Sequence, residues 1–452
     1  MAVNLPDVRV RFPGPLARRD HACDMASTGR TRPAVAATAV VVVMVAGQLL
    51  RQTGASTWNT VWAEDGKVYA TEAYANAGVS TLLRGYAGYA QFVPRLIALG
   101  VRPIPVSWVA PYFAVASALV TALLALFVYR SMHGWVESRW LRASVMLMTA
   151  LAPVIYFEVN ANLANLGWPL VFASFWAFAS RREGTADTTL RCSVVVLTGL
   201  TTAVLALLVP VAIVVAALRR RRADVIVLVT SIAALGVQYL AIRAAGSTAN
   251  DPSSRRDIPV AYGVRVVASL MFGERWLKPL WLNLGVWLAV MAVVVVLVVV
   301  VVGSPRHIDR DRLWFAAVAV VSSLVLFAIP VWIRGTVLVK LTTGVFTGAG
   351  SRYGYVPLLV LYSGLVVLVD GTRRRWLVAA VAAQGAALML VCFGLGNPRS
   401  PGPTWSSELA TARQRCQAAG PPPAVSIPTT PGGGPWYMVV PCGRLVDASS
   451  AR

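Results

Sequence analysis

The stretch RCSVVVLTGLTTAVLALLVPVAIVVAALRRRR, residues 191–222, decides the topology. It is apolar for most of its length and closes on four consecutive Arg residues, Arg219 to Arg222. Arg181 and Arg182 stand shortly before it. Short loops rich in Lys and Arg stay on the cytoplasmic side of a membrane. Both Arg groups therefore belong inside, and residues 191–218 must cross an even number of times. The reading is two short helices, 192–202 and 203–218, turning near Thr201–Thr202. One long helix would break the charge rule. Short paired helices need cover from the rest of the protein, because a lipid-exposed turn leaves backbone groups without hydrogen bonds.

Composition agrees with a membrane chain. Of 452 residues, 57% are hydrophobic and 13% charged, where a soluble chain is about half apolar and about 25% charged. That balance excludes a water-soluble globule and a disordered chain. The net charge of +22 invites a nucleic-acid reading. The Arg residues, however, come as short clusters between long apolar runs, so no nucleic-acid partner is expected. Spanning helices of about 20 residues are expected at 34–50, 104–129, 143–157, 163–180, 192–202, 203–218, 224–242, 280–302, 313–333, 354–370 and 377–396. Arg306, Arg310 and Arg312 with His307, and Arg373 to Arg375 after Asp370, mark further inside loops. The fold class is thus an all-α polytopic membrane protein with about eleven crossings, N-terminus inside and C-terminus outside.

Three regions follow: a cytoplasmic Arg-rich tail, 1–33, with Met25 as an alternative start; a transmembrane domain, 34–396; and an extracytoplasmic segment, 397–452. In this topology Cys416 and Cys442 share the last outside segment, where an oxidising compartment allows them to pair. That segment is expected to form a short helix, a loop and a strand, acting as a cap over the site or as a stabilising tail.

The candidate chemistry lies in the outside loops. The first, within 51–103, contains TWNTVWAEDGKVYATEAYANAG and then LLRGYAGYAQFVPRLIALGVRPIP. Glu64 and Asp65 form an acidic point in a basic surround. One carboxylate with a raised pKa can take a proton from a hydroxyl, and the pair, with Glu158, could hold a divalent cation such as Mg or Mn. Lys67 to Ala77 has helix-forming composition, and Asp65 can cap that helix. The bland alternative is just such a cap beside a solvated charge. In YFEVNANLANLGWPL, Glu158, Asn160, Asn162, Asn165 and Trp168 offer a carboxylate, amides and an aromatic face, the groups that recognise sugars. Here the alternative is a polar helix turn. Among the outside basic residues Arg84, Arg95, Arg102, Arg334, Lys340 and Arg352, an Arg fork suits phosphate, although any one of them can instead snorkel to headgroups. Arg95 in FVPRLIAL, near Tyr86 and Tyr89, and Arg352 in GSRYGYVP, beside Tyr353, are the candidates. His21, His133 and His307 all fall inside, which leaves no His-based triad or zinc site outside. No phosphate-binding glycine loop appears, and TGAGSRYG does not match G-x-G-x-x-G.

WAEDG with GYAGYAQFVPRL, the Asn-rich turn ending NLGW, and GSRYGYVP resemble the GT-C superfamily of integral membrane glycosyltransferases, most nearly its actinobacterial members. The resemblance covers the arrangement of residues 34–396, and the paired helices at 192–218 fit it. It implies a polyprenyl-phosphate-linked sugar as donor, a glycan or lipid of the cell envelope as acceptor, and an active site facing outward at the plasma membrane. By position the catalytic base falls on Glu64 and Asp65, a second acid on Glu158, and the lipid-phosphate ligands on Arg95 and Arg352. The chain departs from the pattern in having Glu-Asp without D-x-D spacing. A lipid-linked saccharide transporter and a non-enzymatic scaffold remain the alternatives; the first requires a polar path through the membrane, and the second makes the outside acids dispensable.

Overall fold

The computed structural model describes residues 31–75, 78–245, 255–303, 309–334, 339–340, 345–346, 350–372 and 374–446. The expectations for His21, Met25, Arg306, His307 and Arg373, and for the side chains of Arg334 and Lys340, lie outside the described residues. Two compact units divide the chain, Met1–Val40 and Val41–Arg452. The described part of the first is the opening of the apolar helix α1 (Thr31–Leu50). The second unit holds every other element.

The break expected near Thr201–Thr202 is present. Helix α8 (Thr185–Thr201) stops where Thr202 takes an extended conformation, φ −148° and ψ 139°, and the Thr202 hydroxyl accepts from the Val204 amide at 3.3 Å. A 3-10 turn, Ala203–Leu208, leads into α9 (Val209–Arg219). Pro210 sits in the first turn of α9, where its missing N–H costs nothing. Arg220, in the left-handed region at φ 53°, ends α9, and α10 (Arg222–Ala245) follows. The turn has the cover it needs: Thr201 and Thr202 are buried, and the Val93 amide donates to Thr201 Oγ1 at 3.2 Å. At Gly199 a Cβ would lie 2.7 Å from Ala234 Cβ, so a side chain there would push α8 off α10.

Each of the other expected spans overlaps a helix, with shifted ends. Among the described residues four helical stretches, Val106–Ser131, Arg222–Ala244, Arg310–Ile333 and Arg352–Gly371, are long and apolar enough to cross a membrane. They contain α4 (Val109–Ser131), α10, α15 (Arg310–Arg334) and α16 (Arg352–Gly371). The span expected at 143–157 is instead α5 (Arg139–Leu151) and a separate turn, α6 (Ile155–Glu158); Pro153 cannot continue α5 and biases Ala152 away from helix. Residues 163–166 belong to the Asn-rich turn, and α7 (Gly167–Ala179) starts later than expected. The span expected at 280–302 is cut at Gly285, φ 54°, between α13 (Glu274–Leu284) and α14 (Val286–Gly303). α17 covers Arg375–Val391.

Helix α7 forms the centre. From Pro169 to Ala179 every residue is buried, as expected of a helix apolar all round that serves as core. Trp176 donates to Ser363 of α16 at 3.3 Å, and Ser174 shares a hydrogen bond with Thr198 of α8 at 2.8 Å. Between α10 and α13 lie α11 (Ile258–Tyr262) and α12 (Ser269–Phe272), joined by a π-helix, Gly263–Ala268. Two short strands, β3 (Val339–Lys340) and β4 (Val345–Phe346), precede α16.

The last segment adds a β-hairpin to the elements expected there. It comprises α18 (Trp405–Gln417), β5 (Ala424–Pro428) antiparallel to β6 (Tyr437–Pro441), and α19 (Gly443–Val446). Cys416 and Cys442 form a disulfide, Cα–Cα 5.4 Å, tying α18 to the end of β6.

Candidate active site

Glu64 and Asp65 lie at the start of one irregular helix. The backbone is a π-helix over Asp65–Ala70, and α2 (Thr71–Tyr74) continues it; the regular helix expected over Lys67–Ala77 is replaced by this shorter, wider one. The Thr71 amide donates to the Gly66 carbonyl, the i→i+5 bond of a π-turn. The C-terminal hairpin holds the turn in place. The Ala63 amide donates to the Thr430 carbonyl at 2.7 Å, the Thr430 amide to the Val61 carbonyl at 2.9 Å, and the Val439 amide to Thr71 Oγ1 at 3.0 Å. Gly66 permits that approach, since a Cβ there would stand 2.6 Å from Thr429 Cγ2.

The two acids have different surroundings. Asp65 is buried. It does not cap its own helix: its Oδ2 accepts from the Leu163 amide and its Oδ1 from the Ala164 amide, both at 2.9 Å. Burial pushes its carboxyl up to about 7, against the pull of the Leu163 amide and the Arg399 guanidinium. Arg399, from the C-terminal segment, is buried too. It donates to the Ala161 carbonyl at 3.3 Å and lies over the Trp62 ring at 5.2 Å. Burial lowers its pKa to about 10, while Asp65 acts in the opposite direction. Ala161 sits in the left-handed region, φ 46°, a strained state for Ala that persists only where neighbours over-determine it. Asp65 accepts from the amides of this turn and Arg399 donates to its carbonyl.

Glu64 instead lines a cavity of about 340 Å³. The walls come from six places. Glu64 and Tyr69 stand on the irregular helix, and Tyr86 and Tyr89 on the hairpin of β1 (Gly85–Tyr86) and β2 (Tyr89–Ala90). Asn165 and Trp168 lie at the start of α7, and Arg352 and Tyr353 at the start of α16. An apolar side is made by Val204 and Leu207 after the α8 turn and by Ile329, Pro330 and Ile333 of α15. The β1–β2 turn, Ala87 at φ 52° and Gly88 at φ 86°, matches the primed two-residue turns that suit a twisted hairpin. It sets Tyr86 opposite Tyr89. Trp168 meets Tyr353 edge-on at 5.4 Å.

The charges at this cavity are coupled. The Arg352 amide donates to Glu158 Oε2 at 3.3 Å, and Arg352 Nε lies 4.0 Å from the same oxygen. Glu158 is therefore the partner behind Arg352, and its backbone carbonyl is capped by Asn165 at 2.9 Å and by Asn162. Glu64 and Arg352 both act on the Tyr86 hydroxyl, in opposite directions; with burial as the main cause, its pKa rises to about 12.

The structure thus brings Glu64, Tyr89, Trp168, Arg352 and Tyr353 to one cavity, with Glu158 directly behind. It moves three candidates off it. Asp65 is buried away from the cavity, both oxygens held by backbone amides. Arg95 is buried and paired with Glu72 of α2, which also faces Arg84 at 3.9 Å. Asn162 is buried within the turn, its Oδ1 accepting from the Asn165 amide at 3.0 Å. Nor do Glu64, Asp65 and Glu158 form a cation cage. Both Asp65 oxygens are committed to backbone amides, and among the described residues no group of three His, Cys, Asp or Glu side chains converges as metal ligands do. None of the cavity-lining residues comes from the segment after residue 396, which braces the back of the irregular helix.

No protein-family model matches the chain, and no curated protein matches it. Two solved structures are similar in chain path, both of ArnT from Cupriavidus metallidurans. The apo form shares 14% identity over 77% of this chain and 78% of that one, at a TM-score of 0.32. The form bound to undecaprenyl phosphate shares 14% identity over 87% and 82%, at a TM-score of 0.36. Similarity at this level carries no conclusion about the residues of this chain.

The apolar lining residues and two polar ones, Tyr69 and Gln91, were not singled out from the sequence. Tyr69 lies five positions after Glu64, a spacing that shares a face only across a π-turn. Gln91 carried no signal beyond its place in the loop.

Proposed function

We propose that this chain is a membrane glycosyltransferase that takes a sugar from a polyprenyl-phosphate donor and passes it to a hydroxyl of a cell-envelope acceptor at the outer face. One observation carries the reading: Glu64 and Arg352, a carboxylate and a guanidinium, line one cavity whose other walls are aromatic on one side and apolar on the other. A sugar ring suits the faces of Trp168 and the tyrosines, and a prenyl chain suits Leu207, Ile329 and Ile333.

In the proposed reaction the acceptor oxygen forms a bond to the anomeric carbon. The bond from that carbon to the phosphate oxygen breaks, its electron pair leaving with the lipid phosphate. The acceptor proton goes to Glu64. Attack from the face opposite the phosphate inverts the anomeric centre. Arg352, held by Glu158, offsets the charge that develops on the departing phosphate. No step is routed through a divalent cation, because the acids of the site do not form a ligand set.

The test is a transfer assay in proteoliposomes with a panel of undecaprenyl-phosphate monosaccharides. Transfer by the wild-type protein that is lost in Glu64→Gln supports the reading; full transfer in that variant refutes it.

A further inference from the structure

Tyr69 is buried and lines the cavity, yet among the described residues its hydroxyl has no hydrogen-bond partner. A buried hydroxyl left unpaired costs about 1–3 kcal/mol, so native chains rarely keep one idle. A Phe would fill the same space without that cost.

The backbone shows how the hydroxyl comes to be there. Along an α-helix, residues three or four apart share a face and residues five apart diverge. The i→i+5 turn between Glu64 and Tyr69 removes the divergence and places both on the cavity wall. Such turns lengthen a helix at a local cost, and they recur at functional sites. Here the C-terminal hairpin holds it, through the Val439 amide on Thr71. The Arg95 guanidinium stacks over the other part of the Tyr69 ring at 5.8 Å, fixing its plane.

We infer that Tyr69 contacts the acceptor beside Glu64: its hydroxyl donates a hydrogen bond to the acceptor hydroxyl that Glu64 deprotonates. This rests on the glycosyltransferase reading. A hydroxyl oxygen has one proton and two lone pairs. The proton faces Glu64, one lone pair accepts from Tyr69, and the other is left aimed at the anomeric carbon. Glu64 and Tyr69 together thus fix the attacking lone pair, which neither does alone. Burial, with the charges of Asp65 and Glu64, pushes the Tyr69 hydroxyl well above the usual phenol range, so it remains a donor throughout.

The experiment compares wild type, Tyr69→Phe and Glu64→Gln in proteoliposomes, with undecaprenyl-phosphate monosaccharides as donors and methyl glycosides as acceptors. Tyr69→Phe is expected to lower kcat/KM for the acceptor about 10-fold, the size of one hydrogen bond. The donor KM should stay at its wild-type value, and the unliganded Tm should stay level or rise, since Phe removes an unpaired buried hydroxyl. Methyl glycosides should raise the Tm of the wild type more than that of Tyr69→Phe. Wild-type acceptor kinetics in Tyr69→Phe, with Glu64→Gln inactive, overturns the role of Tyr69 and leaves the base in place. A fall in activity matched by a fall in Tm also overturns it, as a structural effect. Full activity in Glu64→Gln overturns the glycosyltransferase reading and this inference together.

Discussion

Asp65 Oδ2 sits 2.9 Å from the backbone nitrogen of Leu163. With its other oxygen on Ala164, this one side chain ties the segment after α1 to the Asn-rich turn before α7. The turn carries Asn165 and Trp168 on one side of the cavity, and the helix that Asp65 begins carries Glu64 and Tyr69 on the other. The distance across the cavity is set by this joint.

Asp65→Ala would leave the buried Leu163 amide and the half-buried Ala164 amide without an acceptor, a loss of about 1–3 kcal/mol for the buried one. Its Tm in detergent should fall by several degrees and its activity with it. Asp65→Asn keeps one acceptor but turns an NH2 toward the other amide, and should fall between wild type and Asp65→Ala in both measurements.

The same carboxyl gives a pH signature. Its ordinary value is 3.8, and burial raises it to about 7 in the folded chain. Between those values the folded state holds a proton that the unfolded state has released. Stability therefore falls as pH rises through that window and is flat above it. Melting curves between pH 4 and 8 should show this slope in the wild type and a shallower one in Asp65→Asn.

Arg352 and Arg95 should separate cleanly. Arg352→Lys keeps the charge but loses the planar fork, so the KM for a polyprenyl-phosphate donor should rise about 10-fold, with little change in Tm. Arg95→Gln breaks the buried pair with Glu72, removing charge-assisted hydrogen bonding worth about 1.5–3 kcal/mol. It should lower the Tm while leaving the donor KM near the wild-type value.

The Cys416–Cys442 disulfide closes a separation of 26 residues, a loop worth about 3 kcal/mol in the chain-entropy account. The double variant Cys416→Ser/Cys442→Ser, or reduction of the wild type, should expose α18 and the β5–β6 hairpin to limited proteolysis. Because Thr430 braces Val61 and Ala63, activity should fall as well.

Several parts of this arrangement were legible in the sequence. Charge parity across residues 191–218 located the turn at Thr201–Thr202 without reference to side-chain packing. The cysteine pair followed from topology, and the acidic, Asn-rich and Arg352 motifs each arrive at one cavity. What stayed hidden has a common physical cause. Asp65 is held by backbone amides and Arg399 by a backbone carbonyl, and backbone partners leave no trace in residue types. The π-turn that delivers Tyr69 depends on contacts from a hairpin some 360 residues away, such as Val439 on Thr71. The break at Gly285 lies beside a Val run whose hydropathy masks it. Arg95 looked like Arg352 because its partner, Glu72, reaches it only through the fold.

The most direct test of the central claim is the rate of sugar transfer in proteoliposomes by Glu64→Gln beside Asp65→Asn, each shown to be folded by its melting curve. The account predicts that Glu64→Gln, isosteric and facing the cavity, loses about 10²–10⁴-fold in rate at a wild-type Tm, while Asp65→Asn loses stability and activity together. Wild-type transfer by Glu64→Gln, or its retention alongside a dead but fully stable Asp65→Asn, would contradict it.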